Sequence, residues 1–476
     1  MKIGLIYGHV ASNLGDLCIN RGVISLLNNA FGEYKLHVVF RDPNEEYFNL
    51  ALSDFKNDLN EFTYEIIKTT KQNNSLNIIE NYISNPNKFL KDTKLDQCDL
   101  ILSNSGEFLF SYFDDYREDI LWRVLPAFAS SVANIPFITL PSTIGPFEGI
   151  LGTELIKNYL KLNDSFAVRD FYSFEKIQLL NQEYNMDLLL DPAFFIKYKK
   201  RITNLDVKRL GIIMRLNDFG LRIGGRRSSI NMREFKKENF TNTLAFQIAY
   251  KSIVEYLDEF KGSEVKLFIQ TRYDKDLAYK LYEKLQHDGY NNIKIVEPQT
   301  IDEYLYEIEQ CSVVLSSRFH GSILSMLAKV PVIGLYFSSH GHKMPGLYKM
   351  IKKENYAINA NDVDANLITR QVISLEKNKD AFKDIYENIN EYKEKTIQWL
   401  QNTNKKVSKN KNQHDSINSF IYYLEKVKME NKYNELTKLL SSNINISKKE
   451  LNSNILREIN DREVKLTDFG TSKFIE

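Results

Sequence analysis

The sequence predicts an α/β protein with two parallel, doubly wound sheets facing each other across a cleft, followed by a helical extension. Three observations predict this. Short apolar runs recur along most of the chain, each ending in a polar turn and followed by a segment of helical period, the pattern of βα units that feed a parallel sheet. The alternation lapses at the charged stretch 197–208 and then restarts. At 476 residues the chain also exceeds what one ordinary core supports, so more than one domain is required.

Residues 2–7 read as a buried strand, 8–16 as a polar loop with glycine, and 17–30 as a helix carrying Ile19, Val23, Ile24 and Leu27 on one face. A second strand is expected at 36–40. The long polar stretch 45–88 reads as mostly helix or loop. A third strand, 99–102, ends in Ser103-Asn104-Ser105-Gly106-Glu107. A helix through 122–132 leads to a strand at 135–140, which ends in Pro141-Ser142-Thr143-Ile144-Gly145-Pro146. Strands at 165–168 and 188–190 end in Arg169-Asp170 and Asp191-Pro192. Together these give a first Rossmann-like domain, 1–196.

The second Rossmann-like domain, 209–375, opens with a strand at 210–214 that ends in Arg215. Helix 243–260, strand 265–270, helix 274–287, strand 293–296 and helix 301–310 follow. Strand 313–315 then gives way to the turn Ser316-Ser317-Arg318-Phe319-His320, a helix at 321–329 and a strand at 330–336. Residues 376–476 read as a helical, partly polar extension: amphipathic stretches at 417–427 and 435–440 lie beyond a Lys/Asn-rich run at 402–413.

Lys+Arg number 63 against Asp+Glu 62, a formal charge of +1, so no basic field marks nucleic acid as the partner and any anion site must be local. Cys18, Cys98 and Cys311 are far apart and lie in or beside apolar runs. That spacing fits buried reduced thiols rather than zinc ligands, and no metal is expected. The first apolar run stops at Gly8-His9, too short for a secretion signal. No apolar run approaches the roughly 18 residues of a membrane span. A soluble cytoplasmic protein is expected.

The strongest chemical lead is Arg318 with His320, a cation and an imidazole where a strand ends and a helix begins. Ligands of open α/β sheets bind there, and a helix N-terminus favours an anion. An anion held by Arg318 would raise the His320 pKa towards that of a useful general acid. Lys343 ends the next βα loop along the same edge, after His340 and His342, which read equally well as a solvated loop. Arg169 and Arg215 each end a strand, one in each domain. Either converges on the same anion or pairs with a neighbour, Asp170 or Asp218. Asn13-Leu14-Gly15-Asp16 marks the first strand-to-helix turn: Asn13 or Asp16 caps the helix, or the glycine admits a substrate hydroxyl or phosphate. No GxGxxG accompanies it, which argues against a nicotinamide site. Gly224-Gly225-Arg226-Arg227 reads as a surface insertion.

In order, the motifs Ser12-Asn13-Leu14-Gly15-Asp16, Phe166-Ala167-Val168-Arg169-Asp170 with Ser173, Asp191-Pro192-Ala193, and Ser317-Arg318-Phe319-His320-Gly321 with Ala328, Pro331, Val332 and Lys343 make the chain resemble the polysaccharide pyruvyl transferase family. The resemblance runs through most of residues 1 to about 350 and leaves out the C-terminal hundred or so. It implies a GT-B-like pair of domains and transfer of a pyruvyl group from phosphoenolpyruvate to sugar hydroxyls as a ketal, with no cofactor. It further implies that Arg318 and Arg169 bind the donor's carboxylate and phosphate, that His320 is the catalytic histidine, and that Lys343 is a further anion contact. Asn13, Gly15 and Asp16 would then face the acceptor, a lipid-linked or nucleotide-linked sugar. Arg215 joins the donor residues by position, and Asp16 is the candidate base. Two alternatives stand beside this reading: a GT-B glycosyltransferase using a nucleotide sugar, and a non-catalytic glycan-binding relative. The role of the tail after Asn402 is left undecided between a partner contact and a peripheral approach to membrane-bound acceptors.

Overall fold

The computed structural model describes residues 1–10, 13–43, 45–59, 62–68, 75–111, 118–180, 184–201, 207–216, 222–223, 226–227, 240–337, 342–403 and 413–443. The first half alternates strand and helix: β1 (Lys2–Ile6), α1 (Leu14–Phe31), β2 (Lys35–Arg41), α2 (Glu45–Asp58), β3 (Phe62–Ile67), α3 (Ser75–Ser84), α4 (Pro86–Asp92), β4 (Leu100–Ser103) and β5 (Glu107–Ser111). It continues with α5 (Glu118–Val132), β6 (Phe137–Phe147), α6 (Ile150–Leu162), β7 (Ser165–Val168), α7 (Phe171–Gln178) and β8 (Met186–Leu188). These strands form one parallel sheet in the order β3-β2-β1-β4-β6-β7-β8, with β5 paired to β6.

The second half holds β9 (Arg209–Ile213), the short pair β10 (Arg222–Ile223) and β11 (Arg226–Arg227), α8 (Leu244–Glu259), β12 (Glu264–Phe268), α9 (Lys275–His287) and β13 (Ile293–Val296). Then come α10 (Ile301–Glu309), β14 (Val313–Ser316), α11 (Phe319–Leu327), β15 (Val332–Tyr336), α12 (Lys343–Met350), β16 (Ala357–Asn359) and α13 (Ala365–Lys377). Its sheet, also parallel, runs β13-β12-β9-β14-β15-β16. That is the doubly wound order, whose strand sequence reverses between β9 and β14. The first sheet reverses in the same way between β1 and β4. Parallel strands covered on both faces need apolar side chains on both, and the middle strands comply. Leu5, Leu100, Leu102, Phe166, Leu210, Val314 and Ile333 are at most 1% exposed.

Three stretches differ from the sequence expectation. β3 lies inside the uninformative segment 45–88. It is the outermost strand of its sheet, so most of its residues are partly or fully exposed and carry no buried-strand signature. The strand expected to stop at Leu140 continues to Phe147. There β6 leaves β4 after Thr139 and takes up β5 from Thr143, so Pro141 stands where the ladder changes partner. The strand expected at 188–190 is Met186–Leu188, and Leu189 and Leu190 lie buried just beyond it.

The C-terminal helices return to the first sheet. α14 (Ile385–Thr403) docks Trp399, whose indole N–H donates to Ser165 Oγ at 3.0 Å, and Thr396, whose hydroxyl accepts from the Leu190 N–H at 3.3 Å. α15 (Gln413–Asn443) takes in both helical stretches expected there, 417–427 and 435–440, as one helix. It buries Phe420, Tyr423, Leu424 and Val427, Phe420 standing 6.4 Å from the Phe128 ring of α5. Lys428 ion-pairs with Glu80 of α3 at 2.9 Å. Among the described residues no helix is long and apolar enough to cross a membrane. Gly224, Gly225, Asp218 and His340 lie outside the described residues.

Trp399 is 8% exposed and joins α14 to β7 of the first sheet. Trp399→Ala should lower stability by about 3–5 kcal/mol, read as a shift in the urea unfolding midpoint.

Candidate active site

His320 opens α11 at the C-terminal edge of the second sheet, and Asp191 stands just past β8 of the first. They meet between the sheets, His320 Nε2 lying 3.6 Å from Asp191 Oδ2. This is an ion-pair distance, beyond hydrogen-bond range, and His320 Nε2 makes no hydrogen bond. Asp191 is fully buried. Its cationic partner is Arg169, whose Nη1 donates to the same Oδ2 at 2.6 Å, while the Ala193 N–H donates to Oδ1 at 2.7 Å. Burial by itself would raise the Asp191 pKa. The positive charges of Arg169 and His320 more than offset it and hold the carboxyl far below the usual range.

Arg169, expected to face the cleft, is 1% exposed. Asp170 beside it is not its partner. That carboxylate caps α7, accepting from the Ser173 N–H at 2.9 Å and the Thr143 hydroxyl at 2.8 Å, and burial pushes its pKa up. Arg169 Nε donates to Thr143 Oγ1 at 3.0 Å, so one buried network joins Asp191, Arg169, Thr143 and Asp170. The charge of Arg169 therefore reaches His320 through Asp191.

The N-terminal turn resolves along the capping alternative. Asn13 Oδ1 accepts the Gly15 N–H at 3.0 Å and the Gln270 amide at 3.1 Å from across the cleft, and Tyr304 donates to Gln270 Oε1 at 3.2 Å. Gly15 offers no functional group, yet its size matters. A Cβ there would stand 2.7 Å from His320 Nδ1 and 2.9 Å from Gln270 Nε2, so only glycine lets the imidazole seat against α1. Gly346 plays the same part on the other flank, where a Cβ would stand 3.0 Å from Asp170 Cβ and from two backbone nitrogens of α7. Asp16 lies in the first turn of α1.

Arg318 and Lys343 both have carboxylate partners. Arg318 Nη2 pairs with Asp274 and donates to Thr271 Oγ1 at 3.1 Å, while its buried Nε has no hydrogen-bond partner. Lys343 Nζ donates to Glu107 of β5 at 2.5 Å, which ties the two sheets together. His342 stands 3.7 Å from the same carboxylate. Arg215 is fixed through its backbone N–H, which donates to Ser317 Oγ at 2.8 Å. The Phe319 ring lies between the Arg169 guanidinium, 5.0 Å from its centroid, and the Lys343 ammonium, at 5.3 Å.

The residues missed from sequence are the carboxylates. Asp191, Asp274 and Glu107 stood in recognised motifs or at element ends, but which cation each would meet depends on strands far apart in the chain. His9 was missed as well. Its Nε2 meets the Ser105 carbonyl at 2.7 Å, and because a carbonyl only accepts, Nε2 carries the proton and Nδ1 the lone pair. Burial lowers its pKa, Asp16 opposes that, and Arg123 and His320 add to the lowering, so the ring is neutral at pH 7.

Asp191→Asn leaves the buried Arg169 without its counter-charge and should cost about 3–5 kcal/mol. The folded pKa of Asp191 lies below that of an unfolded aspartate. Its stabilisation is therefore complete above about pH 4 and disappears as pH falls through the folded value. Stability measured by urea unfolding from pH 6 downwards should show this acid-dependent loss in the wild type and lack it in the Asn variant. Gly15→Ala should destabilise by about 1–3 kcal/mol through overpacking against His320, measurable in the same unfolding assay.

No curated protein matches the chain. Among solved structures, UDP-GlcNAc 2-epimerase from Neisseria meningitidis, bound to UDP-GlcNAc, is similar with a TM-score of 0.51 and 13% identity, covering 84% of this chain and 100% of that one. Anabaena HepE (Alr3699), in complex with UDP and glucose, gives a TM-score of 0.50 at 9% identity, over 84% and 97% of the two chains. At these identities the likeness concerns the fold, a GT-B-like arrangement of two doubly wound domains. The family model for polysaccharide pyruvyl transferase matches residues 13–339, which takes in the strands from β2 to β15 and the motifs except Ser12 and Lys343. The chain belongs to the polysaccharide pyruvyl transferase family and is a transferase.

Proposed function

We propose that the protein transfers the pyruvyl group of phosphoenolpyruvate, as a ketal, to two hydroxyls of a sugar in a surface-polysaccharide precursor at the cytoplasmic face, with His320 as the general acid. The observation that supports this most is the seat of His320. It is buried, held between the C-terminal edges of two parallel sheets, and set against a carboxylate that stays ionised. An imidazolium in that seat is paired and can deliver a proton.

The chemistry needs that proton. The enol phosphate of the donor accepts it at the methylene carbon, which becomes the methyl group, and the adjacent carbon gains oxocarbenium character. One sugar hydroxyl adds to that carbon and a second replaces phosphate; of the two protons they lose, one restores the acid that protonated the methylene carbon and the other leaves with inorganic phosphate. His320 supplies the first proton. Arg318, with its partnerless Nε, Lys343 and Arg215 stand along the same edge to hold carboxylate and phosphate. Arg169 acts as a positioning residue through Asp191. Asn13 and Gly15 shape the acceptor side of the seat, and Asp16 and the neutral His9 are the groups near it able to take a hydroxyl proton. No metal or cofactor is needed for these steps.

His320→Ala should reduce acceptor-dependent phosphate release from phosphoenolpyruvate by about 100-fold or more, followed by a colorimetric phosphate assay. Equal release from both proteins removes His320 from the mechanism. Binding of a nucleotide sugar without any binding of phosphoenolpyruvate replaces the reading with a glycosyltransferase. Binding of glycan without turnover replaces it with a non-catalytic relative.

A further inference from the structure

A second basic site lies in the first domain, beside the seat of His320. Arg41, the last residue of β2, and Arg123 of α5 line a cavity of about 200 Å³ together with Glu107, Phe108, Phe110 and Asp119. Its charges are unevenly matched. Arg41 Nη2 pairs with Asp119 at 2.6 Å, and Glu107 is taken by Lys343. Arg123 has no ion pair among the described residues. Its guanidinium is held between the rings of Phe108, 4.1 Å from the centroid, and Tyr7, at 4.8 Å. The buried Nη1 atoms of both Arg41 and Arg123 have no hydrogen-bond partner.

A guanidinium stacked on aromatic faces keeps its orientation but not its hydrogen bonds. Two such groups close together repel, and a buried donor left unsatisfied is destabilising until a ligand meets it. Burial and the nearby Arg41 pull the Arg123 pKa down to about 10, which leaves it charged at neutral pH. We propose that this cavity binds an oxyanion distinct from the donor, the phosphoryl group of a glycosyl phosphate or diphosphate acceptor. A tetrahedral oxyanion offers acceptor oxygens in several directions and so can meet donors from two separate arginines, which a planar carboxylate does less well. The place fits an acceptor. Glu107 lines the cavity and also holds Lys343, whose ammonium lies over Phe319, the neighbour of His320. A sugar whose phosphate lies at Arg123 thus extends towards the reacting edge. Assigning the ligand to the acceptor rests on the pyruvyl-transfer reading; the phosphoryl site itself does not.

The test is calorimetric titration of the full chain with inorganic pyrophosphate, with and without saturating phosphoenolpyruvate. Pyrophosphate should bind the wild type in both cases. Arg123→Gln should weaken it at least tenfold and Arg41→Gln severalfold, with phosphoenolpyruvate affinity unchanged within twofold. Displacement of pyrophosphate by phosphoenolpyruvate, no binding to the wild type, or undiminished binding by the variants overturns the site. Should Arg123→Gln fail to fold, as judged by its thermal melt, undiminished binding by Arg41→Gln alone overturns it. Glucuronic acid binding at Arg123 in place of pyrophosphate overturns the phosphoryl assignment. UDP-glucose and a short-chain prenyl diphosphoryl glucose, titrated in parallel, distinguish a nucleoside from a lipid on the far side of the phosphate. Each should lose affinity in Arg123→Gln if it is held here. A protein that binds pyrophosphate through Arg123 but ignores phosphoenolpyruvate keeps this site and loses the pyruvyl-transfer reading.

Discussion

The site depends on one buried carboxylate. Asp191 has no contact with solvent, and an ionised group so placed is tolerated only when it is paired and hydrogen-bonded. Arg169, the Ala193 N–H and the His320 imidazole supply those partners from the end of one strand, a turn and the opposite sheet. Asp191 therefore does two things at once. It fixes the end of β7 to the turn after β8, and it gives the second domain's histidine a charged anchor on the first.

The rest of the interface follows the same principle of placing partners on opposite sheets. Lys343 reaches Glu107, Gln270 reaches Asn13, and Lys349 reaches Glu175 at 2.8 Å. Steric economy accompanies the polar contacts. Gly15 and Gly346 stand where any side chain would push the two sheets apart. Salt bridges at an exposed rim, such as Lys349 with Glu175, contribute little each. The buried set around Asp191 carries the constraint.

Charge is arranged unequally around this interface. Arg169, Arg318 and Lys343 all have carboxylate partners, so an arriving donor anion must exchange with or add to pairs already made. Arg123 has none. The contrast separates cations that shape the protein from a cation left open to a ligand, a distinction that formal charge alone does not make.

Much of the fold was legible in the sequence because parallel strands buried on both faces must be continuous apolar runs, and helices covering them must repeat every three to four residues. Residues 2–6, 100–102, 165–168 and 313–315 carry that imprint and are strands. β3 does not, since an edge strand needs no such run. The turn with Arg318 and His320 was legible for the same reason: the strand and helix flanking it were. What only the tertiary structure decided is pairing. Whether Arg169 meets Asp170, next to it, or Asp191, beyond the following strand, depends on how β7 and β8 lie side by side, and nothing local records that. The capping role of Asn13, the fit of Gly15 against His320 and the open state of Arg123 are likewise properties of surfaces brought together from opposite ends of the chain. Local sequence determines which segments become strands and helices, whereas the distances that make a site arise only when those elements pack.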